Sequence, residues 1–149
     1  MSTADEQLAV TVTMPVAWGD MDALGHVNNT VYLRWFEDAR MAYFRAVGMD
    51  ELQQSTSVGP ILAHTSCSFR IPLEYPDTVS IQTGVVKQGN TSFTMRYLVR
   101  SEAHGGKVAA EGEGIIVMMD YGKGEKVPMP ATLREQIDAL QAARSAPLS

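Results

Sequence analysis

Thr30-Val-Tyr-Leu-Arg-Trp-Phe-Glu-Asp-Ala-Arg-Met-Ala-Tyr-Phe-Arg-Ala-Val47 is the stretch on which the fold turns. Val31, Trp35, Ala39, Ala42 and Ala46 recur at helical spacing, and so do Tyr32, Phe36, Tyr43 and Val47. Two apolar stripes make a surface wider than that of an ordinary surface helix. Arg34, Asp38 and Arg45 occupy the polar edge that is left. The spacing therefore predicts a helix over about 30–47 that other structure wraps. Asn28 or Asn29 can cap its start, because a short side-chain oxygen accepts a free first-turn N–H. Gly48 stands where a left-handed stop residue is wanted.

Outward from this helix the pattern changes to a period of two. Before it, residues 8–17 alternate Val10, Val12, Met14 and Val16 with Thr11, Thr13 and Pro15, which predicts a half-buried strand. After it come four more strand-like segments. Ile61–Ile71 places Ile61, Ala63, Thr65, Cys67, Phe69 and Ile71 on one face, and Leu62, His64, Ser66, Ser68 and Arg70 on the other. Thr78–Lys87 and Ser92–Arg100 alternate around the turn Gln88-Gly89-Asn90, and His104-Gly105-Gly106 leads into Lys107–Met119. Short turns imply an antiparallel meander. Leu133, Ile137 and Leu140 mark a short C-terminal helix. The expectation is an α+β fold: a five-stranded antiparallel sheet around one long central helix, with a short helix at the end. One helix cannot cover the whole sheet, and sheet edges need partners. A homodimer or homotetramer is the economical outcome.

The chain has 149 residues, 45% hydrophobic and 19% charged, which suits one globular domain spanning 1–149. The ends, about 1–7 and 144–149, are expected to fray. No run approaches the ~18 apolar residues of a membrane helix. The N-terminal residues lack the basic and apolar regions of a signal peptide, so the expected place is the cytoplasm. One cysteine, Cys67, excludes an internal disulfide and a multi-cysteine zinc site. Net charge is −5, against a general nucleic-acid binder. A basic patch for a small phosphate ligand is still compatible with it.

Between the first strand and the helix lies Asp20-Met-Asp22-Ala-Leu-Gly25-His26-Val-Asn28-Asn29. A helix N-terminus presents unpaired N–H groups and partial positive charge. Such groups can hold a polarised carbonyl oxygen. A nearby carboxylate can activate water or attack the carbonyl carbon. A polar loop with a capped helix is the plain alternative, since Asp, Gly and Asn are what loops use. A calcium loop fails, because Leu24 and Val31 stand at its fifth and twelfth positions, where oxygen ligands are needed.

Asp22-Ala-Leu-Gly-His-Val-Asn-Asn-Thr-Val-Tyr32 with Phe36-Glu-Asp-Ala-Arg40 resembles the 4-hydroxybenzoyl-CoA thioesterase-like family of hotdog-fold acyl-CoA thioesterases. The resemblance continues through Phe69-Arg-Ile-Pro72, Tyr75-Pro-Asp77 and Thr91-Ser-Phe93. It implies a sheet wrapped around a long helix, and hydrolysis of an acyl-CoA thioester. It implies that Asp22 is the catalytic carboxylate, as nucleophile or base, and that the Asn29 N–H polarises the carbonyl. Related carrier-protein thioesterases place a catalytic histidine where His26 stands. They also carry an Asn where this chain has Leu24. The CoA arm falls near Gly89, Asn90, Thr91 and Ser92, with Arg70 as the candidate phosphate contact. Tyr32 and His64 are candidates for the acyl pocket. Asp20 reads as structural, holding the loop or pairing with a base. Cys67 reads as packing. No metal and no separate cofactor are implied, since CoA is part of the substrate. A hotdog hydratase or dehydratase and a non-catalytic acyl-CoA binding module are the competing readings.

Overall fold

The computed structural model describes residues 8–145. Of the ends expected to fray, 1–7 and 146–149 lie outside the described residues. In chain order the elements are β1 (Val10–Pro15), a 3-10 turn (Trp18–Asp20), α1 (Asn29–Ala46), α2 (Met49–Ser55), β2 (Val58–Phe69), β3 (Thr78–Gln88), β4 (Ser92–Ser101), β5 (Lys107–Asp120), β6 (Glu125–Lys126) and α3 (Ala131–Ser145). All strand pairs are antiparallel. The spatial order is β1-β3-β4-β5-β2, with the two-residue β6 against the end of β5. The sheet curls around α1, the hotdog arrangement that the resemblance implies.

Both apolar stripes of α1 are used. Val31, Tyr32, Trp35, Phe36, Ala39, Tyr43 and Phe44 are buried, against Val79, Ile81, Val85, Phe93, Met95, Tyr97, Val99 and Ile116 of the sheet. Phe36 stacks on Tyr97 with ring centroids 4.5 Å apart and planes 9° from parallel. Two glycines of β5 make room for this pair. A Cβ at Gly112 would land on the Ser66 carbonyl oxygen and 2.6 Å from the Phe36 ring. At Gly114 it would come within 3.0 Å of the Tyr97 hydroxyl. Bare backbone in a strand thus marks where two other groups approach closely. Gly48, with φ 78°, ends α1 and caps α2, as its place in the sequence predicts.

The structure departs from the sequence reading along β2. The strand starts at Val58 and ends at Phe69 rather than running 61–71. Its register against β5 slips between Leu62 and His64, so Ala63 is an extra, bulged residue. A bulge reverses the alternation. Leu62, not Ile61, therefore shares the inner face with Thr65, Cys67 and Phe69. The helix α2 and the short β6 were not legible. No helix among the described residues is long and apolar enough to cross a membrane.

Candidate active site

The Asp20–Asn28 loop is built mainly by its own backbone. The Asp22 N–H donates to the His26 carbonyl (2.8 Å) and the Gly25 N–H returns to the Asp22 carbonyl (3.1 Å). Gly25 has φ 81°, a conformation that glycine adopts without a steric cost. Met21 and Val27 form a one-residue bridge across the base of this loop. The Val27 N–H donates to Leu73, and the Asn28 N–H donates to the Asp20 carbonyl at 2.9 Å. The loop is thereby fixed both to the 71–77 segment and to the start of α1.

Asp20 and Asp22 have different surroundings. Asp20 is 7% exposed. One carboxylate oxygen accepts from the Ala17 N–H at 3.0 Å, and the other accepts from the Arg34 guanidinium at 3.1 Å. Oδ1 thus ties the loop to α1 through Arg34, and Oδ2 closes the 17–20 turn through the Ala17 N–H. Asp22 is exposed. Its Oδ1 accepts from the Leu24 N–H (2.9 Å) and the His26 N–H (3.3 Å). Its other oxygen carries no bond to a described residue.

The start of α1 offers one free donor. Asn28 is the cap, and its Oδ1 accepts from the Thr30 N–H and from the Thr30 hydroxyl, each at 3.0 Å. The Val31 N–H donates to the Asn28 carbonyl. The Asn29 N–H has no intrahelical partner by position, and no described residue accepts from it.

His26 lies between Asp22 and a residue that the sequence did not single out. Its Nε2 is 3.6 Å from Oε1 of Glu74, with both side chains partly in water. Nothing in the pattern around Ile71–Asp77 marks Glu74, since a glutamate in a loop is usually just solvated. Tyr32 is buried, edge-on to Trp35 at 5.1 Å and to Phe69 at 5.0 Å. Burial, aided by the neighbouring Cys67, pushes its phenol up to about 12. It is therefore a neutral hydroxyl in the apolar wall beside the start of α1. Burial also pushes the Cys67 thiol up to about 11. A thiol so far from ionising is a poor nucleophile, in keeping with packing.

The remaining candidates lie elsewhere. The Gly89–Ser92 turn is closed by the Gly89 N–H on the Ser92 carbonyl at 2.7 Å. It is tied to the chain's end by the Met129 N–H on Asn90 and by Arg134, which donates to the Gly89 carbonyl. Arg70 is not near it. The Arg70 N–H donates to Ala109, whereas Ser92 pairs with Val117. Eight residues of β5 separate these levels (117 − 109), roughly 26 Å at strand rise. Arg70 instead meets Glu111 at 2.6 Å, which Arg96 shares at 3.3 Å. His64 is exposed and points to the outer face, opposite Ile115. The structure thus gathers Asp22, His26, Asn29 and Tyr32 at one end of the sheet and the 89–92 turn at the other. Two clefts of about 490 Å³ open at neither group's centre: one between the end of α1, α2 and α3, the other between Pro15, Tyr75 and Glu102.

The fold is shared with known relatives. The sequence profile of the Thioesterase-like superfamily matches residues 16–137. The chain belongs to that superfamily. The 4-hydroxybenzoyl-CoA thioesterase of Pseudomonas sp. (strain CBS-3) is 26% identical over 131 residues, covering 83% of this chain and 93% of the relative. A thioesterase from Thermus thermophilus, solved with coenzyme A and zinc, superimposes with a TM-score of 0.80. It is 33% identical, covering 96% of this chain and 99% of that one. A superfamily member from Jannaschia sp. CCS1 gives a TM-score of 0.79 at 26% identity, covering 89% and 82%. The chain is accordingly a thioester hydrolase of this superfamily.

Proposed function

We propose that the protein hydrolyses an acyl- or aroyl-CoA to the free acid and CoA, with Asp22 as the reacting carboxylate. The observation that carries this is the pairing of an exposed Asp22, with one carboxylate oxygen uncommitted, and an unused N–H at Asn29, in one loop locked to the start of α1. The thioester oxygen lies against the Asn29 N–H, which stabilises the negative charge it gains. Asp22 then acts in one of two balanced ways. As a base it takes a proton from water while the water oxygen bonds to the carbonyl carbon, and collapse expels CoA as thiolate. As a nucleophile it bonds to that carbon itself, expels the thiolate, and leaves an anhydride that water opens. His26 orients the water or donates toward the carbonyl. Tyr32 and Phe69 form the apolar wall for the acyl group. The Gly89–Ser92 turn takes the CoA arm.

A second copy of the chain completes this arrangement. β2 ends the sheet, so one of its edges is unpaired. Its twelve residues carry no Lys, Arg, Asp or Glu, and Ile61, Leu62 and Phe69 are 38%, 42% and 48% exposed. Monomeric edge strands normally carry charges that discourage pairing. Two β2 strands paired antiparallel bring the partner's 89–92 turn toward this chain's Asp22 loop, joining the two groups that one chain keeps apart.

The test is a thiol-release screen over acyl-CoAs of graded length, with benzoyl- and phenylacetyl-CoA included. Free thiol and free acid in equal amounts are the expected products. Consumption of an enoyl-CoA without thiol release would favour a hydratase. Tight CoA binding without turnover of any member would favour a binding module.

A further inference from the structure

Backbone bonds bring His26 and Glu74 together. The Val27 N–H donates to the Leu73 carbonyl at 2.8 Å, and the Tyr75 N–H donates to the Met21 sulfur at 3.3 Å. These bonds clamp the Asp20–Asn28 loop to the 71–77 segment around the pair. Nε2 of His26 then stands 3.6 Å from Oε1 of Glu74. Neither side chain has another hydrogen bond or ion pair among the described residues. Both are well exposed, 44% and 67%. An ion pair so exposed adds little to stability. The contact therefore holds a ring in place without holding the fold together.

We infer that Glu74 is a positioning residue, which fixes His26 in one tautomer so that the ring directs the attacking water. A neutral imidazole carries its proton on one nitrogen, and the group facing the other edge decides which. An ionised carboxylate only accepts. Glu74 therefore keeps the proton on Nε2 and leaves Nδ1 with its lone pair. Nδ1 is the ring nitrogen nearer the backbone, and the His26 N–H there is bonded to Asp22 Oδ1 at 3.3 Å. In the base route, water places one proton on the uncommitted oxygen of Asp22 and hydrogen-bonds Nδ1 with the other. Its oxygen lone pair is left aimed at the thioester carbon. Asp22 takes the first proton as the new C–O bond forms, the second stays on that oxygen, and collapse expels CoA as thiolate. His26 thus accepts from water, while the carbonyl oxygen has the Asn29 N–H. A separation of 3.6 Å is longer than a hydrogen bond, and catalytic contacts of this kind tighten when substrate fills the site.

The inference rests on the thioesterase reading, and its test separates the two. Thiol release from acyl-CoA is measured for wild type, Glu74→Ala, Glu74→Gln, His26→Ala and the double variant Glu74→Ala with His26→Ala, with thermal melts alongside. Glu74→Ala should lower kcat roughly 3- to 5-fold, what one exposed charge contact can supply, at an unchanged melting temperature. Glu74→Gln keeps an acceptor for the Nε2 proton and should recover most of that loss. In the His26→Ala background, removing Glu74 should cost nothing further, because it acts only through the ring. Nitrogen NMR of the neutral His26 ring should show the proton on Nε2 in wild type and a share of the other tautomer in Glu74→Ala. Unchanged kcat in Glu74→Ala, an equal loss in both backgrounds, or a wild-type proton on Nδ1 would each overturn the inference. A lowered melting temperature in Glu74→Ala would show a mere brace and overturn it too. In each of these cases wild-type thiol release leaves the thioesterase reading standing. A wild type that releases no thiol from any acyl-CoA overturns both.

Discussion

Replacing Asp22 by asparagine separates chemistry from architecture, because the two carboxylate oxygens do different jobs. Oδ1 holds the loop through the N–H groups of Leu24 and His26. The asparagine carbonyl oxygen can take over both bonds. The other oxygen makes no bond within the described chain, so an amide NH2 in its place breaks nothing. The loop's backbone bonds to Leu73 and Asp20 do not involve this side chain at all. Asp22→Asn should therefore melt within about 2 °C of wild type, since surface changes without a structural partner lie within about 0.5 kcal/mol. Turnover should respond very differently. The amide is neither nucleophile nor base, and base catalysis alone is worth roughly 100- to 10,000-fold. In a steady-state thiol-release assay, kcat should fall by at least the lower figure with little change in CoA affinity. Asp20→Asn supplies the mirror image. It removes a nearly buried partner of Arg34, a charged hydrogen bond worth about 1.5–3 kcal/mol. Arg34 is half exposed, so the lower end applies, a melting-point loss of roughly 3–6 °C. Its kcat should drop far less than that of Asp22→Asn. Near-normal turnover in Asp22→Asn, with Asp20→Asn or His26→Ala inactive, would refute the assignment of the reacting acid. Normal turnover in all three would show that the loop is only a cap for α1.

Other expectations are simpler to state. Gly112→Ala should destabilise by about 3 kcal/mol or more, because its methyl meets the fixed carbonyl of Ser66; Gly114→Ala meets mainly side-chain atoms and should cost about 1 kcal/mol, and thermal melts will rank them. Stability should fall as pH rises through about 9 to 12. Cys67 and Tyr32 ionise near 9.0 and 10.0 when free but near 11 and 12 when folded, so the unfolded chain loses its protons first and gains from alkali; urea midpoints at pH 8 and 10.5 check this, and Tyr32→Phe should flatten the decline. Activity should survive dialysis against a chelator, since a carboxylate and a helix N–H suffice for a thioester; loss restored by one divalent metal would defeat that mechanism. Sedimentation should show a dimer or tetramer, and a lysine at Thr65 in the uncharged β2 should dissociate it.

How far the sequence led depended on how regular each element is. Helix α1 was legible because Trp35, Phe36 and Tyr43 must be buried on two sides, and only one period allows that. Its start was legible to within a residue, because Asn28 and Asn29 both suit a cap, and the structure uses Asn28. β2 was legible as a strand but misread in phase, because the bulge at Ala63 is one residue with no glycine or proline to announce it. α2 has seven residues and only Met49 and Leu52 to show a period. Asp20 reads as a loop-holding residue from the sequence, yet its partner Arg34 can be named only once α1 is placed beside the loop. Glu74 and Arg134 matter through what the fold sets next to them, across 48 residues from His26 and 45 from Gly89. Periodicity carries no information at that range.

The Asp20–Asn28 loop keeps its shape through backbone amides that donate to carbonyls and to the Asp22 carboxylate, with Gly25 as its one left-handed residue. Ala23 and Leu24 at its tip are exposed, Leu24 to 84%, and neither side chain braces anything. Selection can therefore rewrite the tip without disturbing the acid beside it. A library randomised at these two positions should remain folded almost throughout, yet differ in which thioesters its members accept. The loop is in that sense a socket with interchangeable lips, and diversification of substrate range within this chain has an inexpensive place to begin.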